Sequence, residues 1–541
     1  MSEAVSGEFN WLGEREYYSI NNYDRLPPFF MTLVSPSDHW LFISSTGGLT
    51  LGRINADHAL LPYDTVDKIH DNIAHTGPIT LIKVAGRIWQ PLDLQAQGAD
   101  LKRRLSKHVL GTSLVFEEQH KKLGLEFTSS WETSDRFGFV RRCSLKNVGS
   151  AAVELEILDG LRNVLPTGIV VGLQQSYSSL ADAYKTSELH PIAAGAAGLG
   201  IYGMTSAISD RPEPQEALKC ATIWQRGLPS AAVTLDGNAV AQFRRGEAFV
   251  PATTAKGKKG SYLTTSKVSL NPGQACSWVT VAEVNQGQRE VSNLVQWLSS
   301  QKEAQLLAAL SQDVTQGERE LTRILGVSDG LQVGEDRTIT AHHLANVLFN
   351  DMRGGVFADS YQIGRDDFVS FLGERNRTVQ QRVSLDLQKL PATTDLATLS
   401  QLARDKKDAD LQRLVLEYLP LTFSRRHGDP SRPWNRFNIR VKGEGGQRLL
   451  SYEGNWRDIF QNWEALCFSY PQFLPSVIAK FVNASTVDGF NPYRISRAGL
   501  DWEVPEPHDP WANIGYWGDH QIVYLLRLLE WADRFQPGKL G

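Results

Sequence analysis

Within the stretch from Tyr452 to Leu466, YEGNWRDIFQNWEAL, residues 457–462 set an arginine, an aspartate, a glutamine and an asparagine beside tryptophans and aliphatics. Wound as a helix, Arg457, Asp458, Gln461, Asn462 and Ala465 fall on one arc, while Trp456, Ile459, Phe460, Trp463, Leu466 and Cys467 fall on the other. The plain reading is an amphipathic helix with a solvated face. The residue types point further. Solvent faces usually carry Lys and Glu at i, i+4 spacing, whereas Arg, Asp, Gln and Asn are short or planar groups suited to fixed hydrogen bonds. A sugar is a ring of hydroxyls with an apolar face that stacks on aromatic rings, and this polar arc beside Trp456 answers both needs.

Two further stretches concentrate polar chemistry. TFSRRHGDPSRPWNRFNIR gathers Arg425, Arg426, His427, Asp429, Arg432, Trp434, Asn435 and Arg436 in a Pro/Gly-rich loop directly ahead of the helix. It reads either as a polar crossover stapled by ion pairs or as a second wall of a sugar site, whose guanidiniums could also hold phosphate. DWEVPEPHDPWANIGYWGDH offers Asp501, Glu503, Glu506, Asp509 and Asp519 with His508 and His520. Inverting hydrolysis needs two carboxylates, one acid and one base, and Asp519, Glu503 and Asp501 are the candidates here. Asp519, following Gly518, equally suits a helix N-cap. Trp517 and His520 join the expected sugar-binding set. The histidines lack HxxxH or HExxH spacing, so no metal is expected. His342 and His343 read as a helix face, and Arg365 and Asp366 as minor pocket candidates. No nucleophile elbow, P-loop or dinucleotide fingerprint occurs, and no cofactor is expected.

The elements that must position these groups change character along the chain. Residues 1–290 alternate in short runs broken by Gly, Asn, Pro and Ser, which predicts a large antiparallel β-sandwich. Its hairpins include GTSLVFEEQHKKLGLEFTSSWE and a turn at Asn147-Val148-Gly149-Ser150. The AKGKKG run near Lys258 reads as a solvated loop. Residues 291–335 form a helical linker, and 336–541 a helical domain that includes LATLSQLARD, ADLQRLVLEYL and LPSVIAKFVNA. The last helix is apolar nearly all round from Ile522 to Leu529, so it calls for neighbours.

At 541 residues several domains are expected. A net charge of −4 gives no attraction to nucleic acid or to anionic membrane. Four scattered cysteines suggest reduced thiols rather than a disulfide framework or a zinc site. With no signal-like N-terminus and no spanning apolar run, a cytoplasmic protein is expected.

A β-sandwich, a helical linker and a helical domain whose early helix carries W-R-D-x-x-Q-N together resemble the cellobiose and chitobiose phosphorylase family of inverting glycoside phosphorylases. LFISSTGGLTLGRINADHALLPYDTVDKI is similar to that family's opening sandwich signature, and NIGYWGDHQIVYLLRLLEW lies where it has an aspartate-bearing loop before a barrel helix. The resemblance implies an (α/α)6 catalytic barrel in which Arg457 and Asp458, supported by Gln461, hold the sugar next to the scissile bond. Asn462 stands where the family has Asp. The family's G-D-W-N-D acid motif is not in this sequence, and about half of the barrel's helices can be counted, so the chain reads as the front part of a longer enzyme with an incomplete barrel. The implied reaction is phosphorolysis of a β-linked oligosaccharide with inversion, inorganic phosphate being the co-substrate. An inverting hydrolase and a non-catalytic carbohydrate-binding subunit are the alternatives, and a second polypeptide could complete the barrel.

Overall fold

The computed structural model describes residues 4–192, 197–209, 212–213, 215–443, 445–502, 508, 516–517 and 520–540. The chain divides into two compact units, Met1–Glu320 with Asp429–Asn435, and Leu321–Gly428 with Arg436–Gly541.

The first unit is built on antiparallel sheets, the larger ones having eleven, five and four strands among the described residues. Alternation in the sequence becomes alternation in burial: along Leu125–Ser134, Leu125, Phe127, Ser129 and Trp131 point inward and the residues between them are partly exposed. That strand forms the expected hairpin with Leu114–His120, closed at the His120 and Leu125 pair. The turn at Asn147 is different. Gly138–Asn147 belongs to the eleven-stranded sheet and Val153–Val164 to the five-stranded one, so this segment carries the chain between sheets and closes no hairpin. The cause is local: buried Asn147 accepts from Gly149 N through Oδ1 and donates through Nδ2 to the Ala151 and Leu270 carbonyls, turning the chain toward the second sheet.

The Gly47-Gly48 pair earlier in the chain does close a hairpin, between His39–Ser44 and Leu49–Arg53. Gly47 has φ +88, and a Cβ on Gly48 would fall 1.9 Å from the Ile69 carbonyl oxygen. The linker helices Gln288–Ser300 and Glu303–Val327 supply Leu298, Leu306, Leu310 and Val314 to a core shared with Trp224 and Val281 of the sheet and with Phe137 of a turn.

In the second unit four helices matter most: α1 (Arg337–Gly354), α2 (Trp456–Ser469), α3 (Leu474–Ala484) and α4 (Gln521–Phe535). Asp336 caps α1 by accepting from Thr338 N and Ile339 N. The C-terminal end of α1 lies hard against α2. Trp463 Nε1 donates to Gly354 O at 2.8 Å, and a Cβ at Gly354 would be 2.9 Å from that of Asn462. On another side, Glu464 accepts from Arg527 and Trp531 of α4 at 2.6 and 3.2 Å.

Between α1 and α2 the chain makes an excursion. Val356–Phe357 pairs with Leu421–Thr422, so the entry and exit strands lie side by side. The helices between them, from Arg365 to Glu417, have a core of their own that includes Phe368, Phe371, Leu372, Leu399, Leu411 and Tyr418. LATLSQLARD and ADLQRLVLEYL, grouped by sequence with the barrel helices, pack here. Helix α4 buries Leu528 and Ala532 but leaves Ile522, Val523 and Leu526 at least half exposed. No helix of the described residues is long and apolar enough to cross a membrane. The architecture is mixed, with large antiparallel sheets followed by helices.

Candidate functional site

Arg457 and Asp458 stand in the first turn of α2, just after the strand Glu453–Asn455 that pairs with Arg494–Ser496. The acidic side chain there is also favourable for the helix dipole, which is the ordinary reason for an aspartate at that position. Across from them is His520, immediately ahead of α4. Arg457 Nη2 contacts His520 Nδ1 at 3.3 Å, and His520 Nε2 lies 3.9 Å from the Asp458 carboxylate. These groups come from positions 63 apart in the chain, and Asp458 and His520 keep about two-fifths of their side chains exposed (40% and 42%). A fixed guanidinium, a half-open carboxylate and an imidazole provide donors and acceptors for vicinal hydroxyls.

The rest of the expected arc divides. Gln461 is exposed on the same helix. Asn462 is buried and donates to Asn350 Oδ1 at 2.8 Å, so it joins α2 to α1 rather than facing a ligand. Trp456 corrects a second expectation: it is wholly buried against Phe460 and Phe481, and no ring face is left for a sugar. The helix is covered on several sides by α1, α3 and α4, which narrows its open strip to Gln461, Ala465 and Phe468 with Arg457 and Asp458 at one end.

The arginine loop divides as well. Arg425, Arg426 and His427 belong to the second unit and run alongside the segment that leads into α2: Ser424 Oγ donates to Arg353 O at 3.1 Å and accepts from Glu453 N at 3.4 Å. His427 Nε2 meets Arg353 Nη2 at 3.1 Å, the Arg425 guanidinium lies over the Phe423 ring, and Arg426 is held through its backbone to Asn438. Arg436 is exposed in this unit. Asp429 and Trp434 belong to the first unit. There Pro430 O accepts from Val66 N at 3.1 Å, Asp429 accepts from Ser431 N at 2.8 Å, and Trp434 is 73% exposed.

Asp501 is engaged by Arg494, whose guanidinium also reaches Glu453 at 2.8 Å. Glu453 in turn accepts from Asn438 Nδ2 at 3.1 Å. Partial burial pulls the Arg494 pKa down, but the hydrogen bond to Asp501 and the charges of Glu453 and Asp501 outweigh it and leave it raised. Glu503, Glu506, Asp509 and Asp519 lie outside the described residues, and Trp517 is described only as the strand partner of Phe490.

Sequence reasoning missed Arg353, Glu453 and Arg494. Arg353 in particular gave no signal, since a basic residue in the last turn of a helix is the commonplace arrangement.

A family model described as glycoside hydrolase family 149 insertion domain 1 matches residues 357–420. Its limits coincide with the excursion enclosed by the paired strands Val356–Phe357 and Leu421–Thr422. No curated protein matches the chain. Among solved structures, a bacterial glucoamylase complexed with acarbose aligns at 7% identity and TM-score 0.36, over 85% of this chain and 60% of its own. A GalM/aldose epimerase homologue from C. elegans aligns at 10% identity and TM-score 0.29, over 48% of this chain and all of its own (100%). A family GH92 alpha-mannosidase from Bacteroides thetaiotaomicron aligns at 10% identity and TM-score 0.30, over 62% and 40%. At such scores the superpositions carry no weight for function. The family-model match supports a carbohydrate-active protein of the glycoside hydrolase-like kind.

Proposed function

We propose that the second unit presents a sugar-binding face centred on Arg457, Asp458 and His520, in a carbohydrate-active enzyme that cleaves a β-linked oligosaccharide by phosphorolysis with inversion. The observation that carries it is the meeting of Arg457, His520 and Asp458 from distant parts of the chain, at 3.3 and 3.9 Å, on an otherwise apolar helix end. Gln461 and Arg436 are exposed in the same unit, and Arg425, Arg426 and His427 flank the segment leading into α2. In this reading Asp458 accepts from two neighbouring hydroxyls, Arg457 donates to a ring or hydroxyl oxygen, and His520 keeps the arginine in place.

In phosphorolysis a carboxylic acid protonates the glycosidic oxygen while phosphate attacks the anomeric carbon from the opposite face. Phosphate replaces the second carboxylate of the hydrolytic scheme. Arginines suit that role, and Arg425 and Arg426 adjoin Ser424, which bonds the strand leading into α2. An inverting hydrolase that uses carboxylates of the 501–519 segment is the second reading. It is favoured by the family-model match, which is to a domain of a glycoside hydrolase family.

Incubation with β-linked disaccharides, with and without phosphate, distinguishes these readings. A sugar 1-phosphate supports phosphorolysis, free sugar alone supports hydrolysis, and binding without turnover supports a carbohydrate-binding subunit. Asp458→Asn is expected to weaken sugar binding by about 1.5–3 kcal/mol, the range of a hydrogen bond to a charged group, with no change in melting. Unchanged affinity by calorimetry would return Asp458 to its role at the helix dipole.

A further inference from the structure

The first unit contains a half-open cavity of about 680 Å³ whose apolar floor includes Phe116 and Trp131 and whose walls carry Arg162, Arg244, Asp71 and Gln90. Arg162 comes from the strand Val153–Val164 and Arg244 from the helix Ala239–Arg245. Arg162 donates to the Ile73 and Ala74 carbonyls at 2.6 and 2.8 Å, and its Nε is enclosed without a partner. Arg244 donates to Gln90 Oε1 at 2.7 Å.

Neither guanidinium forms an ion pair among the described residues, although Asp71 lines the same cavity. Burial, reinforced by the charge of Arg244, lowers the Arg162 pKa to about 10. Partly buried Arg162 and exposed Arg244 line one cavity without an ion pair of their own, although Asp24 and Asp93 line it too, and a bound oxyanion would give both guanidiniums a charged partner. Two other buried arginines of this unit are paired, Arg141 with Asp159 at 2.9 Å and Arg103 with Glu118 at 2.7 Å.

We propose that this cavity binds a monosaccharide-sized polyol bearing an oxyanion, held by Arg162 and Arg244, with its hydroxyls directed to Asp71 and Gln90. The volume admits one sugar ring with its charged group, and a lining of cations and hydroxyl acceptors matches such a ligand better than a bare ion. The site lies wholly within the first unit and does not depend on the sugar face of the second. The charged group could be a phosphate ester or a uronic carboxylate, which present the same planar or tripodal oxygens to guanidinium.

Calorimetry on the full chain with glucose 1-phosphate, glucose 6-phosphate, glucuronate, glucose and inorganic phosphate tests this. At least one charged sugar should bind with Kd on the order of 1 mM or tighter, and about tenfold better than glucose or phosphate. Arg244→Gln is exposed and should leave melting unchanged while weakening that binding about tenfold, and Arg162→Lys should do the same if it folds. Arg457→Gln is the control for the second unit. Binding lost in Arg457→Gln but retained in Arg244→Gln would overturn the proposal, as would phosphate binding as well as every charged sugar, or no charged sugar binding at all.

Discussion

Lys480 offers the most direct test of how the second unit is held together. It lies on α3 in the run LPSVIAKFVNA, is 4% exposed, and sits 5.3 Å from the Tyr452 ring centroid, with no hydrogen bond to its ammonium among the described residues. Burial lowers its pKa from 10.5 to about 7; Glu417 opposes the shift, while Arg375 and Arg497 add to it. Its folded pKa is below its unfolded one, so the unfolded chain binds the extra proton between those values. The folded state therefore loses stability as pH falls from about 10.5 toward 7, and the penalty is complete below that. Carried through linkage, the shift amounts to at most about 5 kcal/mol, and water entry and relaxation make about 2–4 kcal/mol a realistic figure. Lys480→Met keeps the stem, loses the charge and should raise stability by that amount at pH 7, with the gain shrinking toward pH 10. The assay is calorimetric unfolding of both proteins at pH 6, 7, 8, 9 and 10, reading the difference between them so that other titrating groups cancel. A difference that stays constant with pH, or a Lys480→Met chain less stable at pH 7, would refute the reasoning.

Two other outcomes are expected. His108, 6% exposed and bonded to Thr112 Oγ1 at 2.7 Å, has its pKa lowered to about 4 by burial and by Arg15, so stability should fall as pH drops from about 6.5 toward 4; a His108 proton resonance titrating near 6.5 in the folded protein would contradict this. Ile522, Val523 and Leu526 leave an apolar strip open on α4, and Val523→Lys with Leu526→Glu should reduce self-association in light scattering while helix content is unchanged; equal scattering would show that the strip is not what drives association.

What the sequence determines by itself is the local kind of structure. Alternation in Leu125–Ser134 and the 3.6-residue period of Trp456–Ser469 were both legible, because one face of each element must be apolar wherever the chain goes next. The polar types at Arg457 and Asp458 were legible for the same reason, as departures from an ordinary solvated face. Tertiary structure decided the rest. Only packing shows that Asn462 faces α1 and that Trp456 is enclosed by Phe460 and Phe481, since a helical wheel gives angles but not how many neighbours crowd around them. Asn147 turns the chain between sheets rather than within one because its side chain finds the Leu270 carbonyl, more than a hundred residues away. The helices from Arg365 to Glu417 have the same period as the other helices of this unit, and the pairing of Val356–Phe357 with Leu421–Thr422 marks them as an excursion. His520 meets Arg457 across 63 residues of chain, a juxtaposition that no local pattern encodes because it depends on where α4 docks against α2.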